Sequence, residues 1–174
     1  HNNHAFMTIF LIGMPCSGKS TLGLQLAEHL QMPFFDTDAI IEDMEGMKVS
    51  DIFTKQGEAR FRDLEHELMA NWKLSHVVVA TGGGLPCHND LIDILNSKGK
   101  TIWLQACIDA LSERLSQSEV IRPLTDGKSD KEIKSKLKEL LKNRKPIYSK
   151  AQIRVKVESD SKVTLRKILR KLYT

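Results

Sequence analysis

Residues 13–21 read GMPCSGKST and fit the pattern G-x-x-x-x-G-K-[ST] of a phosphate-binding loop. An apolar run from Ile9 to Ile12 precedes the loop, and leucines at helical spacing follow it. This order of strand, loop and helix is the context in which the motif binds nucleotides. The alternative is a glycine-rich turn that binds nothing, and the flanking elements disfavour it. The segment therefore predicts a site for a nucleoside triphosphate.

Each residue type in this loop suits phosphate chemistry. Glycines let the backbone curl so that successive N–H groups face an anion, and the helix that starts near Ser20 adds the positive end of its dipole. Lys19 is expected to reach the β- and γ-phosphates, and the Ser20 hydroxyl to ligate Mg²⁺. The predicted nucleotide contacts within the loop are Gly13, Pro15, Cys16, Ser17, Gly18, Lys19, Ser20 and Thr21.

Length and composition indicate one ordinary domain that acts on small molecules. The 174 residues are 41% hydrophobic and 28% charged, which is typical of a globular protein with one core. No apolar run approaches the roughly 20 residues of a membrane span, and a net charge of +4 lacks the dense basic face of a nucleic-acid binder. Three cysteines without a C-x-x-C pair favour a reducing, cytoplasmic setting. We expect a monomeric single domain over residues 1–174, with 1–5 as a flexible tail and no nucleic-acid or membrane partner.

Apolar runs alternate with helical stripes along the whole chain, which predicts an α/β fold with a parallel sheet covered by helices on both faces. The predicted strands are 6–12, 33–36, 76–80, 101–104 and 153–157. The predicted helices are 20–30, 38–45, 49–55, 58–74, 89–97, 108–115, 130–148 and 161–172. Residues 116–130 are expected to form a lid loop. Ligands of such sheets bind at the carboxyl ends of the strands, so the residues directly after each strand are the candidates for a site.

Two segments lie in that position. Asp36 and Asp38 end the second strand, where one carboxylate suits Mg²⁺ and the other can accept a proton from an attacking hydroxyl. The alternative for Asp38 is to cap the following helix. Gly82, Gly83 and Gly84 follow the third strand, and three glycines predict a close approach of the backbone to a ligand or another chain segment rather than a plain turn.

Three arginines are candidates for holding anions. Arg62 and Glu65 are i, i+3 neighbours at the edge of the apolar stripe of helix 58–74, and Arg144 continues the stripe of helix 130–148. Each is either part of a structural ion pair or an arm that grips a substrate carboxylate, since guanidinium binds carboxylates through two hydrogen bonds. Arg122, in the predicted lid, either neutralises a transferred phosphoryl group or is an exposed loop residue.

Taken together, the motifs resemble those of the shikimate kinase family, in the same order and over residues 7 to 172. They are the loop 13–21, Asp36-Thr37-Asp38, Phe61-Arg62-x-x-Glu65, Thr81-Gly82-Gly83-Gly84, Arg122-Pro123-Leu124 and Arg144-Lys145-Pro146-Ile147-Tyr148. The resemblance implies a three-layer P-loop kinase fold of the nucleoside monophosphate kinase type, with a five-stranded parallel sheet. It also implies transfer of the ATP γ-phosphoryl group to the 3-hydroxyl of shikimate, a step of chorismate and aromatic amino-acid biosynthesis.

The resemblance further implies a role for each matching position on the phosphate side. Lys19 and the loop amides would hold the phosphates of ATP. Ser20 would ligate Mg²⁺, with Asp36 behind a water molecule. Arg122 would act on the transferred group from the lid, and Arg114 would flank the adenine.

On the acceptor side, the resemblance implies that Asp38 binds the shikimate hydroxyls and polarises the attacking one. The glycines at 82, 83 and 84, with Arg62 and Arg144, would bind shikimate. The two arginines would lie on its carboxylate. Lys19, Asp38 and Arg122 are thus the expected catalytic residues.

Cys16 and the third strand depart from common patterns. A thiol pKa lowered by the helix N-terminus and Lys19 would make Cys16 a target for inactivating alkylation. Residues 77–81 lack the aspartate that many P-loop proteins carry there, so Asp36 would have to supply that role. The alternatives are a gluconate or other small-metabolite kinase, which the arginine pair disfavours, and a P-loop binding module without catalysis, which the intact Lys19 and Asp38 disfavour.

Overall fold

The computed structural model describes residues 7–118 and 127–174, which form a parallel sheet packed between helices. The strands are β1 (Thr8–Ile12), β2 (Phe34–Asp36), β3 (Val78–Ala80), β4 (Gly99–Gln105) and β5 (Ile153–Lys156). Their order in the sheet is β2-β3-β1-β4-β5, and every neighbouring pair is parallel. The predicted five-stranded parallel sheet is therefore confirmed.

The helices agree with the predicted pattern, with shifted ends at some elements. They are α1 (Lys19–Leu30), α2 (Thr37–Glu45), α3 (Val49–Gln56), α4 (Glu58–Ala70), α5 (Leu91–Lys98), α6 (Ile108–Gln117), α7 (Asp130–Tyr148) and α8 (Ser161–Leu172). The ends of α7 and α8 are as predicted. Helix α4 stops at Ala70 rather than at residue 74, and β3 begins two residues later than predicted.

The segment 116–130, predicted as a lid loop, differs at its start, because residues 116 and 117 belong to α6, while Asp130 begins α7 as predicted. The centre of that segment, with Arg122, lies outside the described residues, as does the predicted tail 1–5. No helix in the described ranges is both long and apolar enough to cross a membrane.

Strand β1 shows why helices pack on both faces of the sheet. Successive side chains of a strand point to opposite faces, and all five residues of β1 are buried. Ile9 and Leu11 pack in one apolar cluster with residues of α1 and α8. Phe10 and Ile12 pack in another with residues of α4, α5, α6 and α7. The fully buried β1 thus anchors the loop that follows it.

The strand order brings three segments together at one edge of the sheet. Ala80, the last residue of β3, pairs with Asp36 of β2 on one side and with Leu11 of β1 on the other. The phosphate-binding loop, the start of α2 and the glycine segment 82–84 therefore leave neighbouring strands side by side. The predicted site residues that follow strands share this edge, as expected for ligand sites of parallel sheets.

Candidate active site

The phosphate-binding loop has the backbone that its glycines predict. Gly13 and Gly18 have positive φ values of 147° and 97°, a region that side chains with a Cβ rarely adopt. A Cβ on Gly13 would also lie 2.7 Å from the carbonyl oxygen of Leu104. Both glycines are therefore required for the loop to turn over the end of β4 and enter α1.

Lys19 is folded into the loop that it belongs to. Its Nζ donates hydrogen bonds to the carbonyl oxygens of Gly13, at 2.7 Å, and Met14, at 2.8 Å. Burial lowers the pKa of Lys19 to about 8, which Asp38 partly opposes. The ammonium group is thus held at the centre of the loop by neutral acceptors, and an anion placed there would favour its charged form.

Cys16 is a half-buried thiol in the phosphate-binding loop. Burial raises the pKa of its thiol, and the charges of Lys19 and Arg114 only partly oppose that change. The condition for a reactive Cys16, a lowered thiol pKa, is therefore not met, because loss of hydration outweighs the nearby cations. The Arg114 Nη1 donates to the Cys16 carbonyl oxygen at 2.9 Å, so Arg114 lies against the backbone of the loop.

Asp36 links the loop to the start of α2. The Ser20 hydroxyl donates to Asp36 Oδ2 at 3.0 Å, while Asp36 Oδ1 accepts from the backbone N–H groups of Asp38, at 2.9 Å, and Ala39, at 3.3 Å. Asp36 is thus the N-cap of α2. The alternative in which Asp38 caps this helix is wrong, because Asp38 lies inside its first turn.

The Ser20 and Asp36 oxygens suit a magnesium ion. Mg²⁺ takes hard oxygen ligands, keeps several waters, and is commonly bound by one or two protein groups plus phosphate oxygens. Over the described ranges, no group of three or more His, Cys, Asp or Glu side chains could hold a metal. A hydroxyl and a carboxylate next to a phosphate-binding loop fit that sparse coordination.

Asp38 carries a largely buried carboxylate beside the phosphate-binding loop. Burial, reinforced by the charge of Asp36, raises its pKa to about 6. Its Oδ1 atom is buried and has no hydrogen-bond partner among the described residues. A buried carboxylate oxygen without a donor is costly, and a substrate hydroxyl would relieve that cost.

The three glycines after β3 make room for the predicted site side chains. A Cβ on Gly82 would lie 2.7 Å from Asp38 Oδ1, one on Gly83 would lie 3.0 Å from Arg144 Nη1, and one on Gly84 would lie 2.6 Å from Arg62 Nη2. The close approach predicted from sequence is therefore that of other chain segments. Gly83 also faces Pro15 of the phosphate-binding loop, since its Cβ would lie 3.1 Å from the Pro15 Cδ.

Arg62 is held in place by carboxylates of its own helix. Its Nη1 lies 2.7 Å from Glu65 Oε1, and its Nη2 lies 3.2 Å from Glu58 Oε1. The predicted pairing of Arg62 with Glu65 is confirmed. Glu65 is 0% exposed, and burial raises its pKa to about 7 despite the charge and hydrogen bond of Arg62. The arginine is thus pre-oriented towards the glycine segment.

Arg144 reaches the same segment from α7. Its Nη1 is 3.5 Å from Tyr148 Oη, and the Tyr148 hydroxyl donates to the Gly83 carbonyl oxygen at 2.6 Å. On the other side, the Gly82 N–H donates to Thr37 Oγ1 at 2.9 Å. No sequence pattern predicts a role for Thr37 or for Tyr148. The one sequence signal for either residue is its place in a motif. Thr37 stands between Asp36 and Asp38, and Tyr148 ends the segment that Arg144 begins.

The structure therefore gathers most predicted residues into two facing groups. The loop residues, with Ser20 and Asp36, form a cradle for phosphate. Asp38, Arg62 and Arg144 meet at the glycine segment beside it. Arg114 contacts the backbone of the loop at Cys16, and Arg122 falls within 119–126, outside the described ranges. A cradle for phosphate next to a buried carboxylate and two guanidinium groups can join a phosphoryl donor to a carboxylated, hydroxylated acceptor.

Comparisons with known proteins agree with this arrangement. The family model described as "Shikimate kinase" matches residues 15–173. The chain is 40% identical to a shikimate kinase of Synechococcus sp. (strain JA-3-3Ab) over 89% of its own length and 80% of that protein's.

Solved structures give the same result. A shikimate kinase crystal structure from Bacteroides thetaiotaomicron superimposes with a TM-score of 0.89 at 34% identity, over 98% of this chain and 100% of that one. A shikimate kinase from Acinetobacter baumannii in complex with shikimate has a TM-score of 0.86 at 28% identity, over 98% and 94% of the two chains. Sequence, fold and site agree, and the chain belongs to the shikimate kinase family.

Proposed function

We propose that this protein transfers the γ-phosphoryl group of ATP to the 3-hydroxyl of shikimate, giving shikimate 3-phosphate and ADP in the biosynthesis of chorismate and aromatic amino acids. The observation that carries the proposal is the convergence of Asp38, Arg62 and Arg144 on glycines 82–84, next to the phosphate-binding loop. One base and two guanidinium groups match an acceptor with hydroxyls and one carboxylate. The relative from Acinetobacter baumannii was solved with shikimate bound.

The acceptor side positions and activates shikimate. Arg62 and Arg144 bind its carboxylate, and the fixed carboxylate leaves the ring hydroxyls facing Asp38. Asp38 accepts the proton of the attacking hydroxyl. A pKa of about 6 keeps Asp38 ionised at neutral pH while making it a stronger base than an exposed aspartate.

The donor side neutralises and orients the triphosphate. The loop N–H groups and the α1 dipole bind phosphate oxygens. Lys19 exchanges its hydrogen bonds to the loop carbonyls for charge-assisted bonds to phosphate. Its positive charge then stabilises the charge that spreads over the transferred group.

Ser20 and Asp36 hold Mg²⁺ in this proposal, because their oxygens are adjacent and suit a hard cation. When bound, the ion neutralises charge on the phosphates. Asp36 keeps one oxygen on the N-terminus of α2 and offers the other to the metal side. Atomic absorption after gel filtration with and without a non-hydrolysable ATP analogue would measure this binding.

Arg114 is proposed to flank the adenine, since it already lies against the loop. The role of Arg122 on the transferred phosphoryl stays a prediction. We also propose a monomer that works in the cytoplasm, and the free thiols of Cys16, Cys87 and Cys107 support a reducing compartment. Light scattering and fractionation of the producing cells test these two points.

An ADP-release assay with shikimate, gluconate and AMP side by side tests the function. We expect Mg²⁺-dependent ADP release with shikimate, and release with gluconate and AMP no faster than without an acceptor. Equal turnover with gluconate or AMP would contradict the assignment. No turnover with any acceptor, despite ATP binding, would favour a binding module.

A further inference from the structure

We propose that the hydroxyl groups of Thr37 and Tyr148 are positioning groups of the acceptor site, which hold the backbone of Gly82 and Gly83 from two sides. Through that backbone they fix the positions of the Asp38 and Arg144 side chains. The inference rests on the proposed function, because it assigns the two hydroxyls a purpose in shikimate binding and turnover.

Thr37 connects the base to the glycine segment. Its side chain is 0% exposed, and its Oγ1 accepts the Gly82 N–H at 2.9 Å. Thr37 directly precedes Asp38, whose Oδ1 lies within 2.7 Å of the place where a Cβ of Gly82 would be. The Thr37 hydroxyl does not cap α2, because Asp36 performs that function. Its hydrogen bond therefore fixes the distance between the Asp38 backbone and the turn that faces it.

Tyr148 connects the carboxylate-binding arginine to the same segment. It is 0% exposed, and its ring packs against Trp103 with the ring centroids 5.7 Å apart. Its hydroxyl donates to the Gly83 carbonyl at 2.6 Å and lies 3.5 Å from Arg144 Nη1, one helical turn earlier. Burial raises the pKa of Tyr148, so the phenol keeps its proton and remains a donor.

The two hydrogen bonds complement one another. Thr37 accepts a hydrogen bond from the Gly82 N–H, and Tyr148 donates one to the Gly83 carbonyl oxygen. A segment without side chains is therefore held by hydroxyl groups from the start of α2 and from α7. Glycines have more backbone freedom than any other residue. Catalytic groups, however, need placement within about 0.5 Å of the productive geometry. The hydroxyls supply the restraint that the glycines lack.

The experiment compares Thr37→Val, Thr37→Ser and Tyr148→Phe with two controls. Thr8→Val removes a buried hydroxyl at the start of β1, where it donates to the Leu74 carbonyl oxygen at 2.9 Å. Tyr173→Phe removes a phenol that is 53% exposed near the chain end. Steady-state kinetics with ATP and shikimate, thermal unfolding, and hydrogen exchange of the peptide covering residues 81–85 are measured for each protein.

Each lost hydrogen bond leaves a buried partner unsatisfied. We expect that cost to change the affected kinetic constant by about tenfold. Tyr148→Phe should raise the KM for shikimate by about tenfold, with kcat and the KM for ATP within twofold. Thr37→Val should lower kcat by about tenfold, since it loosens the base. Thr37→Ser, which keeps the hydroxyl, should recover most of that loss. Both controls should leave all kinetic parameters within about twofold.

Hydrogen exchange separates this inference from the proposed function. Turnover of shikimate by the wild-type protein tests the function alone. Faster exchange at residues 81–85 in Thr37→Val and Tyr148→Phe supports the restraint whatever the substrate. Unchanged exchange overturns it, and so do kinetic changes no larger than those of the two controls. If Tyr148→Phe does not fold, the Thr37→Val and Thr37→Ser pair decides, and equal kcat values for the two overturn the positioning role.

Discussion

The donor half and the acceptor half of this site are built in opposite ways. Most of the donor half is one stretch of nine residues, 13–21, which follows β1 and includes the first residues of α1. Asp36 joins it from the end of β2. The acceptor half takes Asp38 from α2, Arg62 from α4, the glycine segment after β3 and Arg144 from α7. A local motif carries its own geometry, whereas a dispersed site needs the sheet order and three helices to be correct at once.

The two halves also differ in the sign of their buried ionisable groups. Burial lowers the pKa of Lys19 in the donor half and raises those of Asp38 and Glu65 in the acceptor half. Each shift disfavours the charged form of its group. In both halves, the charged form therefore lacks enough stabilising partners while no ligand is bound. A substitution in one half should therefore impair that half and leave ligand binding by the other unchanged.

The largest effect is expected when the acceptor half loses its base. Asp38→Asn should lower kcat by about 10³-fold, because proton acceptance by a positioned group contributes about 10² to 10⁴. The fold should persist, since the amide keeps the size of the side chain. Asp43→Asn, an exposed aspartate of the same helix, is the matched control. Near-normal turnover of Asp38→Asn would remove this residue from the mechanism.

The donor half is broken by Lys19→Met. We expect kcat/KM for ATP to fall by about 10²- to 10³-fold, the range for loss of one electrostatic contact to a transition state. Calorimetric titration with shikimate in the absence of ATP should give a Kd within twofold of the wild type. Lys142→Met, an exposed lysine of α7, controls for the lost charge. An equal loss of shikimate affinity would show that the halves are not separable.

A smaller effect is expected from Arg62→Lys. Lysine keeps the charge but loses the planar fork that binds a carboxylate through two bonds. It also loses the paired contacts with Glu65 and Glu58. The KM for shikimate should rise by about 30-fold with the KM for ATP unchanged. Arg60→Lys, at a half-exposed arginine of the same helix that pairs with Glu45, should change neither value, and an equal rise in both variants would exclude a specific role for Arg62.

The buried carboxylate Glu65 gives the smallest effect, seen in stability. Its native pKa of about 7 lies above its ordinary value of 4.5, so the native state binds more protons than the unfolded chain between these values. This contribution is present at low pH and is lost as the pH rises through 7. The Tm difference between Glu65→Gln and the wild type should therefore shift in favour of the variant from pH 5 to 8. Glu67→Gln, an exposed glutamate of α4, should stay parallel to the wild type, and a parallel Glu65→Gln curve would contradict the assignment.

The local donor half could be predicted from the sequence more fully than the dispersed acceptor half. The loop and its flanking elements depend on local sequence, and α8 was predicted with correct ends, since its apolar stripe ends at Leu172; in the structure Asp160 caps its start. For glycines 82–84, the sequence predicted a close approach. It could not say that Asp38, Arg144 and Arg62 were the approaching groups, because that depends on the strand order.

Three further differences have the same physical origin. Asp36 rather than Asp38 caps α2 because the helix already begins at Thr37, which places Asp38 inside its first turn. The Cys16 thiol pKa is raised because burial, which depends on tertiary packing, outweighs the neighbouring charges. Thr37 and Tyr148 were missed because their partners are backbone atoms 45 and 65 residues away in the chain.

We propose that the arginines of the acceptor half bind a carboxylate, whereas the donor half binds phosphate. The measurement that tests this division is kcat/KM for shikimate and for its neutral methyl ester, with the wild type and with Arg144→Ala. We expect the wild type to prefer shikimate by about 10²-fold, the scale of a charge-assisted pair, and Arg144→Ala to lose most of that preference at an unchanged KM for ATP. The same preference in both proteins would contradict the account.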